Sequence, residues 1–274
     1  MINKILHFDD LSSFWNYAMQ ESTACRRESR SNNDLDWTGG LTWHEAKIQA
    51  KSIWHEGLEK IEKIRAQITP IITKQVLRPR PINAMYGHSV DVGSYLSNDP
   101  ECFFSQEYEK RNYPGRIFKL VVSVAFSAAI SPETIIQRGA MICALVDAIE
   151  YAGHRVEVVC NDAQSANDYK REYNSQNWWF EVFVTIKKAN QPLDMSDLAF
   201  CLAHPAMLRR FMFSAMELNG WSDCFSNYGY PAKASEKGDL YIQEIFSGKV
   251  KDEQAIEWVI EQLKSFGVEL EISE

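Results

Sequence analysis

Residues 116–160 constrain the fold more than any other stretch, because they spell a strand, a long helix and a second strand with punctuation between them. IFKLVVSVAF, from Ile117, is a β-branched run of strand type. Ser131-Pro132-Glu133 then supplies an N-cap, a proline at the first helical position and an acid in the first turn. Ile135, Ile136, Ala140, Cys143, Ala144, Leu145, Ala148 and Ile149 follow at helical spacing, and Gly153 ends the helix. RVEVVC is the next strand. A strand, a helix and a strand in about 45 residues make a βαβ unit, the standard way to join parallel strands.

The pattern continues to the C-terminal side. NDAQSANDYKREYNSQN reads as a polar loop or hairpin tip, and WWFEVFVTIKK as a long alternating strand. Asp194–Leu208 and Arg209–Leu218 read as helices with a break at Pro205. KGDLYIQEIF reads as a strand, and Asp252–Phe266 as an amphipathic helix with Ala255, Trp258, Val259 and Leu263 on one face. Gly267 stops that helix, and VELEI is a last strand. The fold class is α/β, a Rossmann-like sheet flanked by helices.

Before residue 116 the alternation is absent. Ile2–Phe8 is a short apolar segment. Asp9 or Asp10 caps a helix bearing Leu11, Phe14, Trp15, Ala18 and Met19. A polar loop runs to Gly39-Gly40. Thr42-x-x-Glu45 is a capping box opening one long helix, with apolar residues from Trp43 to Ile64, that fades before Pro70. Arg78-Pro79-Arg80-Pro81 cannot be helical and is extended. The turn-rich block around His88 and Asp91 has the composition of a lid over strand ends. These signals divide the chain into a mainly helical and irregular N-terminal extension, residues 1–115, and an α/β domain, residues 116–274.

Composition narrows the class. A hydrophobic share of 45% argues against a mostly disordered chain, and no apolar run reaches bilayer length. The N-terminal MINKILHFDD has no apolar signal core, so the expected setting is intracellular. A net charge of −8 disfavours non-specific binding to nucleic acid. The six cysteines include no CxxC pair and are read as reduced structural thiols.

With the βαβ unit in place, LVVSVAFSAAI and RGAMICALVDAIEYAGHRVEVV resemble the first strand, first helix and second strand of a von Willebrand factor A-type (vWA) domain, over roughly residues 116–271. In that family the first strand ends in Asp-x-Ser-x-Ser, which holds a divalent cation. Here Ser123, Ala125 and Ser127 stand at those places. A hard cation needs oxygen ligands, and the only carboxylate of the motif is gone. The resemblance therefore implies a vWA-type sheet with a degenerate, metal-free site. The whole chain also resembles a family carried by bacteriophages and prophages, through WTGGLTWHEAK, VDVGSYLSNDPECF, RGA…ALVDAIEYAGHRVEV and LDMSDLAFCLAHPAMLRRFMF. That likeness implies a phage or prophage origin and carries no activity with it.

Chemistry-bearing residues are sparse. LAHPAMLRR places His204 before a helix break and Arg209 and Arg210 a turn later, a pattern suited to an anion or to surface arginines. His44-Glu45 and His55-Glu56 are about 16 Å apart along a helix, too far to share an ion. Asp162, Glu172, Glu181 and Lys187 form a nuclease-like set on paper, without supporting spacing. Gx4GK[ST], GxGxxG and GxSxG are absent. Trp178 and Trp179 begin a strand, so their rings face opposite sides, one to the core and one free to stack on a partner or a base. Arg26, Arg27, Arg30, Lys170 and Arg171 are the cations that would accompany such stacking.

The reading is a non-enzymatic protein–protein interaction module of phage or prophage origin. It has no cofactor and no metal, and its partner is another protein, phage or host, away from membranes. The alternatives are a single-stranded nucleic-acid binder using Trp178, Trp179 and the arginine clusters, and an enzyme or sensor for a small phosphorylated ligand held by His204, Arg209 and Arg210. The strand-end residues Ser123, Ala125 and Ser127 complete the candidate binding set.

Overall fold

The computed structural model describes residues 2–22, 28–71, 78–109, 115–167, 177–220, 228–244 and 252–265. The chain divides into two compact units, Met1–Ile72 with Arg116–Glu274, and Thr73–Gly115. This differs from a boundary at residue 115. The reason is long-range pairing: strand β1 (Ile2–Phe8) lies parallel to a strand that starts near residue 177, and the N-terminal helices pack into the same core.

In the large unit, β1 leads to α1 (Leu11–Ala18), whose N-cap Asp10 accepts from the Ser13 N–H at 2.7 Å. Two single turns follow, α2 (Glu28–Ser31) and α3 (Leu35–Thr38). The capping box forms as expected, with the Glu45 carboxylate accepting from the Thr42 N–H at 2.8 Å. The helix it opens is not continuous. It splits into α4 (Trp43–Gln49) and α5 (His55–Ile68). The Ser52 hydroxyl turns back onto the Gln49 carbonyl, and Trp54 leaves helical geometry at φ −94°, ψ 88°. The break lets Trp54 bury its ring against His204 while Ile61, Ile64 and Ile68 stay on the core side of α5.

The small unit holds β2 (Arg78–Ala84), β3 (Ser89–Val90), α6 (Val92–Leu96) and β4 (Phe103–Glu109). They form an antiparallel sheet in the order β2-β4-β3. Pro79 and Pro81 fit because β2 is an edge strand and one of its sides needs no N–H donors. The block expected as a lid thus builds a sheet of its own.

The large unit continues with β5 (Ile117–Ser123), α7 (Pro132–Tyr151), β6 (Arg155–Asn167), β7 (Asn177–Lys187), α8 (Met195–Ala203), a π-helical turn (Met207–Met212), α9 (Phe213–Leu218), β8 (Tyr230–Pro231), β9 (Leu240–Ile242) and α10 (Asp252–Ser265). The βαβ unit is realised as β5-α7-β6, with Ser131 capping α7. NDAQSAN belongs to β6 rather than to a loop, and β9 is shorter than the expected strand. VELEI lies outside the described residues.

The central sheet is mixed and mainly parallel, in the order β1-β7-β6-β5-β9, with β8 added to β6. β1/β7, β5/β6 and β5/β9 are parallel, while β6/β7 and β6/β8 are antiparallel. Alternation sorts side chains by face. Phe118, Leu120 and Val122 point into the main core with the helices, whereas Val121, Val159 and Phe183 form a small apolar cluster on the other side. α7 is the central helix, packed against α5, α8 and α10. A Cβ on Gly139 would lie 2.2 Å from the Ala203 Cα, so this glycine is what lets α7 and α8 approach so closely. No described helix is long and apolar enough to cross a membrane.

Candidate functional site

The carboxyl end of β5 is where ligands sit in sheets of this class. Ser123 and Ala125 are fully buried there, and Ser127 is half-buried in a turn. The Ser123 hydroxyl accepts from the Ala125 N–H at 3.3 Å. The space beside them holds a positive charge supplied by the chain itself. Arg138, from α7, donates to the Ser123 carbonyl at 3.0 Å and the Gln243 carbonyl at 2.7 Å, and its guanidinium lies over the Phe126 ring at 5.2 Å. Burial lowers the Arg138 pKa to about 10, which leaves it charged at neutral pH. Nearby, the Tyr241 hydroxyl donates to Glu244 at 2.8 Å and accepts from the Ala234 N–H, and burial pushes its pKa up to about 12.

Two buried acids lie on β6 and β7. Glu181 takes three donors: the Asn161 amide at 3.0 Å, the Ser235 N–H at 2.8 Å and the Trp179 indole at 3.2 Å. Asp162 pairs in register with Val182, a core residue, so it faces the helices while Glu181 faces away. One Asp162 oxygen accepts from Gln164 at 2.7 Å, and the other has no hydrogen-bond partner. Burial pushes the Asp162 carboxyl up to about 7. Lys187 is engaged elsewhere, 2.5 Å from Glu150, and Glu172 lies outside the described residues. The paper nuclease set is therefore not assembled by its described members. Among the described residues no group of three or more His, Cys, Asp or Glu side chains could hold a metal ion.

His204, Arg209 and Arg210 are brought together around the π-helical turn, facing inward. Burial lowers the His204 pKa to about 3, and its Nδ1 accepts from the Ala206 N–H. Arg209 donates to the carbonyls of Trp37 and Ile130. Arg210 donates to those of Ser29, Asn32 and Leu41 at 2.9–3.1 Å. Both arginines are essentially inaccessible, 1% and 0% exposed. The π turn places consecutive arginines on two neighbouring loops, and they clamp the backbone of residues 29–41. Trp178 packs on the core, and Trp179 is half-buried and bonded to Glu181. Of the cations considered with them, Arg26, Arg27, Lys170 and Arg171 lie outside the described residues, and Arg30 donates to the Gln20 carbonyl.

The sheet face away from the helices carries a shallow groove of about 720 Å³. His7 stacks on Phe183 there at 4.9 Å, and Lys119 is paired with Glu157 and Glu236.

The small unit differs in kind. Thirteen large hydrophobic side chains are exposed among the described residues, and seven lie between Met85 and Phe104. Tyr86 is 79% exposed and Leu96 76%. The backbone beneath them is tied down. Asp91 caps α6 through the Gly93 and Ser94 N–H groups, the Asp91 N–H donates to the Cys102 carbonyl at 2.8 Å, and the His88 N–H donates to Phe104 at 3.0 Å. Asn98 closes α6 with φ +57°. The result is an apolar tip, a stretch of exposed apolar side chains on a tied backbone, with Val90 and Phe104 on opposite faces of the sheet.

Sequence reasoning passed over Arg138, and it marked the turn-rich block around His88 and Asp91 as a lid and not as an exposed apolar stretch. Arg138 had a signal, the one charge between Glu133 and Asp147 of α7. The tip's signal was Tyr86, Val92, Tyr95 and Leu96 in a turn-rich block without helical or strand period. The sequence profile of one family, described as a domain of unknown function (DUF7192), matches residues 3–270, and the chain belongs to that family. No curated protein and no solved structure matches the chain.

Proposed function

We propose that this DUF7192 chain is a non-enzymatic protein–protein interaction module that engages its partner through the apolar tip of the small unit. The observation that carries the reading is the concentration of exposed apolar side chains between Met85 and Phe104 on a locally fixed backbone. Patches of this kind mark interaction surfaces, and a preformed one loses little entropy on binding.

The strand ends support the same reading from the other direction. Arg138 stands within 3.0 Å of the Ser123 carbonyl, and a divalent cation added there would meet a fixed positive charge. The vWA-like site is accordingly taken as metal-free. A phosphate pocket on His204, Arg209 and Arg210 would need donors that these residues now give to backbone carbonyls. The phage or prophage setting rests on the likeness of WTGGLTWHEAK and VDVGSYLSNDPECF to that family.

The test is a tagged capture from native cells with nuclease present, comparing the natural chain with Leu96→Asp and Tyr86→Ser. A stoichiometric protein partner lost in both variants at unchanged melting temperature supports the reading. Retention of the partner by both variants, or its loss on nuclease treatment, defeats it.

A further inference from the structure

The charge of the tip narrows the kind of partner. From Met85 to Phe104 the chain has three acids, Asp91, Asp99 and Glu101, and neither lysine nor arginine. Asp99 and Glu101 are exposed, and Asp91 borders the patch as the cap of α6. Hydrogen bonds from Ser94 and Gly93 hold the Asp91 carboxyl below its ordinary value, so it stays ionised. Glu101 is fixed through its N–H to the Asp99 carboxylate at 2.9 Å. The exposed apolar residues of this stretch are thus accompanied by acids alone.

We infer that the tip binds a protein segment that presents an apolar ridge bordered by lysine or arginine. This rests on the interaction reading above and adds the partner's chemistry. Complementary rim charges steer encounter and exclude wrong partners, while the apolar centre supplies the affinity. The same acids disfavour the other occupants. A second copy would bring three acids against three acids. An anionic lipid surface and a nucleic-acid backbone are repelled for the same reason.

The experiment uses the full chain in native cells with a photoreactive side chain at position 96, in place of Leu96, and a control at the exposed Lys63 of α5. Adducts are mapped by mass spectrometry. The expected adduct lies on one protein, in a segment with apolar residues and an excess of lysine and arginine. The double variant Asp99→Asn/Glu101→Gln should weaken binding of that partner roughly twofold to thirtyfold, since each exposed charge pair contributes modestly. Raising the salt should weaken the natural chain more than the double variant, which keeps Asp91. Adducts with another copy of the chain, with nucleic acid, or with a segment lacking that basic excess overturn the partner assignment and leave position 96 as a docking point. So does full binding by the double variant. No adduct beyond the Lys63 control overturns the interaction reading itself, and the partner assignment with it.

Discussion

Replacing Asp162 by asparagine should change how the protein's stability depends on pH, and the structure sets the size. Asp162 is fully buried, accepts one hydrogen bond from Gln164 and leaves its second oxygen unpartnered. Burial pushes its carboxyl from an ordinary 3.8 up to about 7, the Gln164 bond opposes this, and the nearby Glu181 charge adds to it. A raised acid holds its proton longer in the folded state than in the unfolded one. Its contribution is fully present below pH 4, fades as pH rises to about 7, and changes no further above that. The interval is roughly three pH units at about 1.4 kcal/mol each, so the natural chain should lose about 4 kcal/mol relative to Asp162→Asn between pH 4 and pH 8. Asparagine keeps the oxygen that accepts from Gln164 and cannot ionise, so the difference between the two chains isolates this carboxyl from other titrating groups. Urea unfolding of both at each pH from 4 to 8 gives the curve. A difference that varies by less than about 1 kcal/mol across that range would show Asp162 to be solvated or paired, and would refute the argument from burial.

Three further substitutions test the packing. Gly139→Ala puts a methyl 2.2 Å from the Ala203 Cα and 2.4 Å from the Leu202 carbonyl oxygen, and should cost roughly 1–3 kcal/mol, seen as a lower melting temperature; an unchanged value would mean α7 and α8 are less close than described. Arg210→Met uncovers the carbonyls of Ser29, Asn32 and Leu41 and should cost about 3 kcal/mol, with faster proteolysis between residues 28 and 41; unaltered cleavage there would sink the clamp. Lys187→Met removes the 2.5 Å partner of Glu150, which keeps the Val156 N–H and Arg155, and should cost about 1–3 kcal/mol, and adding Glu150→Gln should restore part of the loss in a double-mutant cycle.

What was legible in the sequence follows from the range of each signal. The β5-α7-β6 unit could be read because its cap, its period and Gly153 are all local. β1 could not be placed, because its partner among the described residues is β7, some 175 residues away, and INKILHF carries no mark of which strand it joins. The long helix over 43–64 was half right. Its apolar spacing survives the break at Trp54, whose cause is a contact with His204, about 150 residues on. At the candidate site the residue types were visible and their directions were not. LRRFM shows two arginines, but only the π turn decides that both point inward. The tip was visible as odd composition alone.

Arg138, Arg209 and Arg210 share one arrangement. Each is buried, each comes from a helical segment, and each donates to backbone carbonyls. A guanidinium with five fixed donors can hold several carbonyls at once, and these hydrogen bonds are stronger than neutral ones. The carbonyls belong to the single turns α2 and α3, to the end of β5 and to connecting segments at Asn32, Leu41, Ile130 and Gln243. In many α/β sheets that region is left open and polar for a ligand. Here Arg138 and Arg209 donate to the Ser123, Gln243 and Ile130 carbonyls. Single exposed apolar side chains are ordinary, whereas many in one short stretch are not. Among the described residues, seven of the thirteen exposed large apolar side chains fall between Met85 and Phe104, and the strand-end carbonyls are already taken, so a partner finds more uncovered apolar surface in that stretch than at the crevice.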